Sequence, residues 1–220
     1  MAARPSLIAI DGPVAVGKTS LGKLLARQLG YKFVDTGNMY RALTWKALKL
    51  GLDLDQEEKL GEMAERARME PWGEDGFLVD GEEVGKELRS QEVEKGVSLV
   101  ACHPRVRLAM VALQQRLAQE GRVVMVGRDI GTVVLPQAQA KFFLTASPGE
   151  RARRRFRELK EQGQNPDYEA VLKDLERRDG IDSKRSHSPL RPAPEARILD
   201  TDGLILEEVA RKVLSLLEGS

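Results

Sequence analysis

The stretch GPVAVGKTS, Gly12 to Ser20, sets two glycines five residues apart and follows the second at once with lysine and threonine. Glycines at these points let successive backbone N–H groups turn inward toward phosphate oxygens, and a helix starting there adds its positive end. Lys18 would neutralise the β- and γ-phosphates of a nucleotide, and Thr19 would ligate Mg²⁺. In a chain of this length the pattern Gly-x-x-x-x-Gly-Lys-Thr arises by chance with a frequency on the order of one in a hundred. Gly12, Pro13, Val14, Ala15, Val16, Gly17, Lys18, Thr19 and Ser20 are the residues expected to bind ATP. Val14 and Val16 are bulkier than is usual in such loops, and β-branched residues resist positive φ. Both are expected at negative φ, with the special conformations left to the glycines. The loop names a phosphoryl donor but no acceptor.

Acceptors differ in what they demand. A regulatory GTPase would carry an Asn-Lys-x-Asp segment to read guanine, yet the only asparagines, Asn38 and Asn165, lie in neither such context. A kinase for a sugar-like hydroxyl needs a positioned base to take a proton. A kinase for a nucleoside monophosphate does not, because the acceptor phosphate is already ionised near neutral pH. It needs arginines to hold two mutually repelling phosphates in line. Three segments supply them: DTGNMYR (Asp35 to Arg41), GRD (Gly127 to Asp129) and RDGIDSKR (Arg178 to Arg185). Taken singly, Arg41 reads equally as a solvated helix residue, and Arg128-Asp129 as a turn ion pair of little weight. Arg151, Arg153, Arg154, Arg155 and Arg157 cover several faces of one helix, so most are expected in solvent. His103 and His187 lack a spacing that suggests a metal site or a triad, and Cys102 reads as a small core residue.

The elements that must position these groups follow from periodicity. Leu7–Ile10, Val123–Gly127 and Lys141–Ala146 are short apolar runs, the last two with the pattern of a parallel sheet covered on both faces, and Lys32–Val34 and Arg197–Leu199 are two further short strands. Helical spacing links Leu21, Leu24, Leu25 and Leu29 up to Gly30, and again Met39, Leu43, Ala47 and Leu50. Further helices start at Pro104, run as a charged pair broken at Gly163 to Pro166 and followed by RDGIDSKR, and close the chain through Leu206, Val209, Val213 and Leu216. FLVDGEEV carries an Asp-Gly hairpin signal. Strands alternating with helices predict a doubly wound α/β fold on a five-stranded parallel sheet, in one domain. GRD then falls at the carboxyl end of a strand, where such folds hold their ligands.

Composition narrows the class. Over 220 residues, 35 Lys and Arg nearly balance 34 Asp and Glu, so no global charge draws the chain to nucleic acid or membrane. Locally the balance shifts: Asp53 to Glu94 holds 15 acids and 5 bases, whereas Arg151 to Arg191 holds 12 bases and 8 acids. A single cysteine excludes an intrachain disulfide, and MAARPS lacks the apolar core of a signal peptide. A monomeric, cytoplasmic protein is expected.

GPVAVGKTS, DTGNMYRAL, HPRVR, VGRDIGTVVLPQAQAKFFLTASPGERARRR, RDGIDSKRSHSPLRPA and ILDTDGL together resemble the bacterial cytidylate kinases, in order and over nearly the whole chain. The resemblance implies a P-loop kinase fold with ATP and Mg²⁺, and CMP or dCMP as acceptor. It implies an inserted monophosphate-binding region at about 36–107, carrying an acidic insertion from about Leu60 to Cys102, and a helical lid at about 148–185. It further implies that Thr36, Arg41 and Arg128 hold the acceptor phosphate and that Ser98, Arg107 and Asp129 read cytosine. Arg178, Asp182 and Arg185 would meet the ribose and the transferring phosphate, with Lys18, Arg128 and Arg185 as the catalytic groups. Gly180-Ile181 departs from family positions that are often charged. A uridylate or shikimate kinase is the alternative enzyme, and a non-catalytic nucleotide-binding regulator the alternative class; the arginine set speaks against the latter.

Overall fold

Runs with no polar face make the centre of the sheet. In the computed structural model, which describes residues 4–73 and 75–218, β1 (Leu7–Asp11) and β6 (Val123–Gly127) are buried along their whole length. Together with β2 (Lys32–Asp35), β7 (Ala140–Thr145) and β8 (Arg197–Asp200) they form a five-stranded parallel sheet in the order β2-β6-β1-β7-β8. Helices α1 (Lys18–Leu29) and α8 (Leu206–Glu218) set Leu21, Leu25, Val209 and Val213 against Ile8, Ile10, Val124 and Phe142. The helix pair α6 (Pro148–Glu161) and α7 (Tyr168–Lys184) completes this part. The five predicted strands are all present, each within one residue or so of its expected ends.

The chain divides into two units. One comprises the residues up to Phe33 together with those from Gly121 onward, and the other is Val34–Glu120. The second unit holds α2 (Thr36–Lys49), α3 (Glu57–Arg66), a small antiparallel sheet of β3 (Met69–Trp72), β4 (Gly76–Val79) and β5 (Glu82–Val84), then α4 (Gln91–Val100) and α5 (Pro104–Leu117). The Asp-Gly hairpin forms as expected: Asp80 at φ 52° and Gly81 at φ 86° make the turn between β4 and β5. Strand β3 was not legible, because MEPW contains a proline and buries only Met69.

One boundary departs from expectation. RDGIDSKR does not follow the second charged helix; α7 runs on through Lys184 and absorbs Gly180. Arg178, Asp182 and Arg185 therefore stand at i, i+4 and i+7, one face of a single helix and its C-terminal cap.

Candidate active site

Parallel register brings the phosphate loop and GRD to the same, carboxyl end of the sheet. Asp11, the last residue of β1, is level with Gly127, the last of β6, so the phosphate loop and Arg128 leave neighbouring strand ends together. Gly12 sits at φ 150°, and a Cβ there would lie 2.5 Å from the Leu144 carbonyl oxygen, so only glycine lets the loop pass β7. Gly17, at φ 97°, turns the chain into α1. Val14 and Val16 avoid positive φ, as expected, but the glycines do not carry the bend alone: Ala15 lies at φ 58°. Its single methyl group makes the left-handed conformation less costly than a β-branched side chain would. Lys18 is buried, and its Nζ donates to the Pro13 carbonyl at 2.6 Å, curling back over the loop.

Asp11 was not singled out from the sequence, although it is the one charge ending an apolar strand. It is 3% exposed, and its two carboxylate oxygens accept from the Ile130 and Gly131 N–H groups, each at 2.8 Å. Burial pushes its carboxyl up to about 6; the two N–H donors pull it down, and the nearby Asp129 charge adds to the rise. Asp11 thus fixes the turn that follows Arg128-Asp129.

Four charged side chains meet beyond that turn. Arg128 Nε donates to Asp182 at 2.7 Å, Arg185 lies 3.6 Å from Asp129 and 3.9 Å from Asp182, and Arg185 Nε donates to the Ser188 carbonyl. Burial pushes the Asp182 carboxyl up, but the Arg128, Arg185 and Arg178 guanidiniums outweigh it and hold the group below the usual carboxylate range. Arg178 is buried beside Asp174, at 3.9 Å. Asp182 is therefore a weak base, and Asp11 has both oxygens engaged. Neither is poised to take a proton from a hydroxyl.

In the second unit, Asp35 caps α2 by accepting from the Asn38 N–H at 3.1 Å, which sets buried Thr36 in the first turn. Arg41 is not a solvated helix residue: its Nε donates to Glu94 on α4 at 3.0 Å, and its side chain is 12% exposed. Glu94, which also draws Arg89 to 3.5 Å, had no sequence signal beyond its place in an acidic run. Ser98 is buried one turn further along α4. Arg107, buried on α5, donates to the Ala101 carbonyl at 3.3 Å and lies 5.7 Å from the centre of the Tyr40 ring.

The arginine-rich helix α6 is the larger surprise. Arg151 is buried and donates to the Val14 carbonyl at 3.0 Å, and Arg154 reaches the Val16 carbonyl at 3.4 Å. Two of the five arginines expected mostly in solvent thus grip the phosphate loop.

A magnesium ion that arrives on a nucleotide keeps several waters and phosphate oxygens and asks for few protein donors. Thr19, in the first turn of α1, offers one hydroxyl, and no trio of His, Cys, Asp or Glu gathers as a metal cage among the described residues. This donor set fits a cation carried by phosphates. Among the described residues no single helix is long and apolar enough to cross a membrane.

Comparison with known proteins agrees with the geometry. Residues 8–219 match the family model described as cytidylate kinase. The chain is 48% identical over 215 residues to the cytidylate kinase of Bacillus velezensis, covering 96% of each, and 46% identical over 214 residues to that of Bacillus subtilis strain 168, again covering 96% of each. Among solved structures, a gluconokinase from Sinorhizobium meliloti 1021 superposes with a TM-score of 0.51 at 18% identity, over 97% of this chain and 92% of that one, a likeness of fold alone. The five-stranded sheet, the glycine loop leading into α1 and the match along nearly the full length converge on one statement: the chain belongs to the cytidylate kinase family.

Proposed function

We propose that the protein transfers the γ-phosphate of ATP to CMP, and to dCMP, giving the diphosphate and ADP, as a monomer in the cytoplasm. The observation that carries this reading is the charge cluster at the carboxyl end of β6: Arg128 and Arg185, held by Asp182 and Asp129, beside a phosphate loop that leaves the neighbouring strand. Phosphoryl transfer needs its two phosphates positioned and their charge offset, and little covalent help from the protein. Lys18 and the loop N–H groups hold the donor. Thr19 would hold Mg²⁺, which when bound would offset charge on the triphosphate. Arg128 and Arg185 stabilise the transferring group. The acceptor oxygen is already ionised, so no side chain has to remove a proton.

Acceptor roles are assigned on the family match. In the second unit Thr36 and Arg41 hold the acceptor phosphate, and Ser98 and Arg107 address the base, within a monophosphate-binding region at about 36–107. In the first unit Asp129 accepts from the exocyclic amine of cytosine, Arg178 and Asp182 address the ribose, and 148–185 acts as a lid.

Cytosine presents an amine donor beside a ring acceptor, and uracil reverses both. A uracil carbonyl set against Asp129 would leave buried polar groups unmatched, and sites built on such matching reject the wrong partner strongly. ADP release measured with CMP, dCMP and UMP should show CMP preferred over UMP by at least about 10²-fold in kcat/KM. Asp129→Ala should narrow that ratio chiefly by losing activity on CMP. Equal use of UMP and CMP by the unaltered protein would make it a general pyrimidine kinase.

A further inference from the structure

Val14 occupies a loop position usually given to a small residue, and its surroundings say why a larger one is useful. Its side chain is 8% exposed and packs with Ala152 of α6 and Leu175 of α7, with Ala15, Tyr168, Val171 and Leu172 around them. Both peptide groups of the same residue are also engaged. The Val14 N–H donates to Asp179 of α7 at 3.1 Å, and the Val14 carbonyl accepts from Arg151 of α6 at 3.0 Å. Arg151 donates in turn to the other oxygen of Asp179, and its Nε to the Ala146 carbonyl at 3.2 Å. One residue of the phosphate loop is thus held through its side chain, its N–H and its carbonyl by two different helices. Helical spacing explains the division of labour on α7. Leu175 and Asp179, four apart, face Val14, while Asp182, on the next strip, pairs with Arg128 and Arg185.

The next residue, Ala15, bends through φ 58°, a conformation costly for any residue with a Cβ and kept only where its neighbours enforce it. We propose that Asp179 and Arg151 are positioning residues for phosphoryl transfer. They clamp the Val14 peptide groups so that the Val14-Ala15 bend is preformed, and with it the inward N–H groups that receive the triphosphate of the donor. They touch the loop backbone and act through it. The proposal rests on the reading that this loop binds ATP.

The clamp predicts a loss confined to the donor. Asp179→Ala leaves the Val14 N–H and Arg151 without their acceptor, and should weaken binding of a fluorescent ATP analogue, and raise KM for ATP, by about tenfold. KM for CMP should stay within about twofold. Asp179→Asn keeps one oxygen for the Val14 N–H while losing the charge facing Arg151, and should recover about half of that loss on a logarithmic scale. Because the pair acts as one unit, Asp179→Ala with Arg151→Ala should weaken the analogue far less than the product of the two single effects. Unchanged analogue affinity in a folded Asp179→Asn and Asp179→Ala would overturn the proposal. So would equal rises in both KM values with a lowered Tm, the signature of general loosening. The analogue titration needs no acceptor. A protein that fails to phosphorylate CMP, yet loses analogue affinity on Asp179→Ala, would refute the proposed acceptor and leave the clamp standing.

Discussion

Each unit contains an arginine that bridges two carboxylates, and the two bridges are built from the same groups in opposite surroundings. In the second unit Arg105 of α5 spans Glu58 and Glu65 of α3; its side chain is 31% exposed, and its partners are 81% and 48% exposed. In the first unit Arg185 faces Asp129 and Asp182, with its side chain 5% exposed and theirs 7% and 13%. Water can replace a lost partner around Arg105, whereas around Arg185 it has little access, and the charges there are compensated by protein groups, Arg128 on Asp182 among them. An exposed pair of this kind adds little to stability, but breaking a buried one strands an uncompensated charge. The lesson is that counting ion pairs says nothing of their importance until burial is known.

The contrast is sharpest in the first expected result. Arg185→Ala should lower kcat by on the order of 10³-fold, as loss of a transition-state arginine does. It should also cost on the order of 3 kcal/mol of stability, chiefly through buried Asp129, since Asp182 keeps Arg128 at 2.7 Å. Arg185→Lys, which keeps the charge but not the planar fork, should restore stability better than rate. Turnover within tenfold of normal in Arg185→Ala would remove the residue from the catalytic set.

A buried carboxylate without an arginine gives the intermediate case. Burial raises the Asp11 carboxyl to about 6, against a reference of 3.8 in the unfolded chain. The folded state therefore binds this proton more tightly. The stability that follows is complete below about pH 4 and is lost as the pH rises through 6. Relative to Asp11→Asn, which does not titrate, the unaltered protein should lose up to about 3 kcal/mol between pH 4 and pH 7 in urea denaturation. A difference that does not change with pH would mean that Asp11 titrates like an ordinary surface aspartate.

The smallest effect belongs to the exposed bridge. Arg105→Ala should leave kcat within about twofold and lower Tm by no more than about 2 °C. High salt should abolish the difference, since exposed pairs are screened. A loss of Tm that persists in high salt would point instead to packing of the Arg105 stem, whose Cδ lies where a Cβ on Gly61 would stand.

These differences also mark what the sequence could and could not convey. Strands β1 and β6 were legible because a strand buried on both faces has no polar position to blur its pattern. Lys18, Arg128 and Arg185 were singled out, the first by the spacing of its loop, the second by its strand end and the third by its arginine-bearing segment. Asp179 and Arg151 were not. Their partner is the backbone of Val14, and a hydrogen bond to a peptide group leaves no signature in the identity of the residue that carries it. Placing RDGIDSKR after the second charged helix also hid the regular spacing of Arg178, Asp182 and Arg185; once the segment is seen as part of that helix, the spacing alone groups them. Helix α3 was obscured for the opposite reason, its few apolar residues, Leu60, Met63 and Ala64, being diluted by charge.

The strand order carries a consequence for synthesis of the chain. β1 emerges first, yet it lies between β6 and β7, and its first partner in register, opposite Leu7, is Val123. At ribosomal speed the gap between the two lasts on the order of 10 s. Throughout that interval an apolar strand and the phosphate loop behind it have no sheet to join. The antiparallel hairpin and helices of Val34–Glu120, by contrast, find their partners within that stretch, all of which is synthesised before β6. The nascent chain therefore carries an unpaired β1 until β6 has been made, and the window in which a chaperone can matter is set by the length of that insertion.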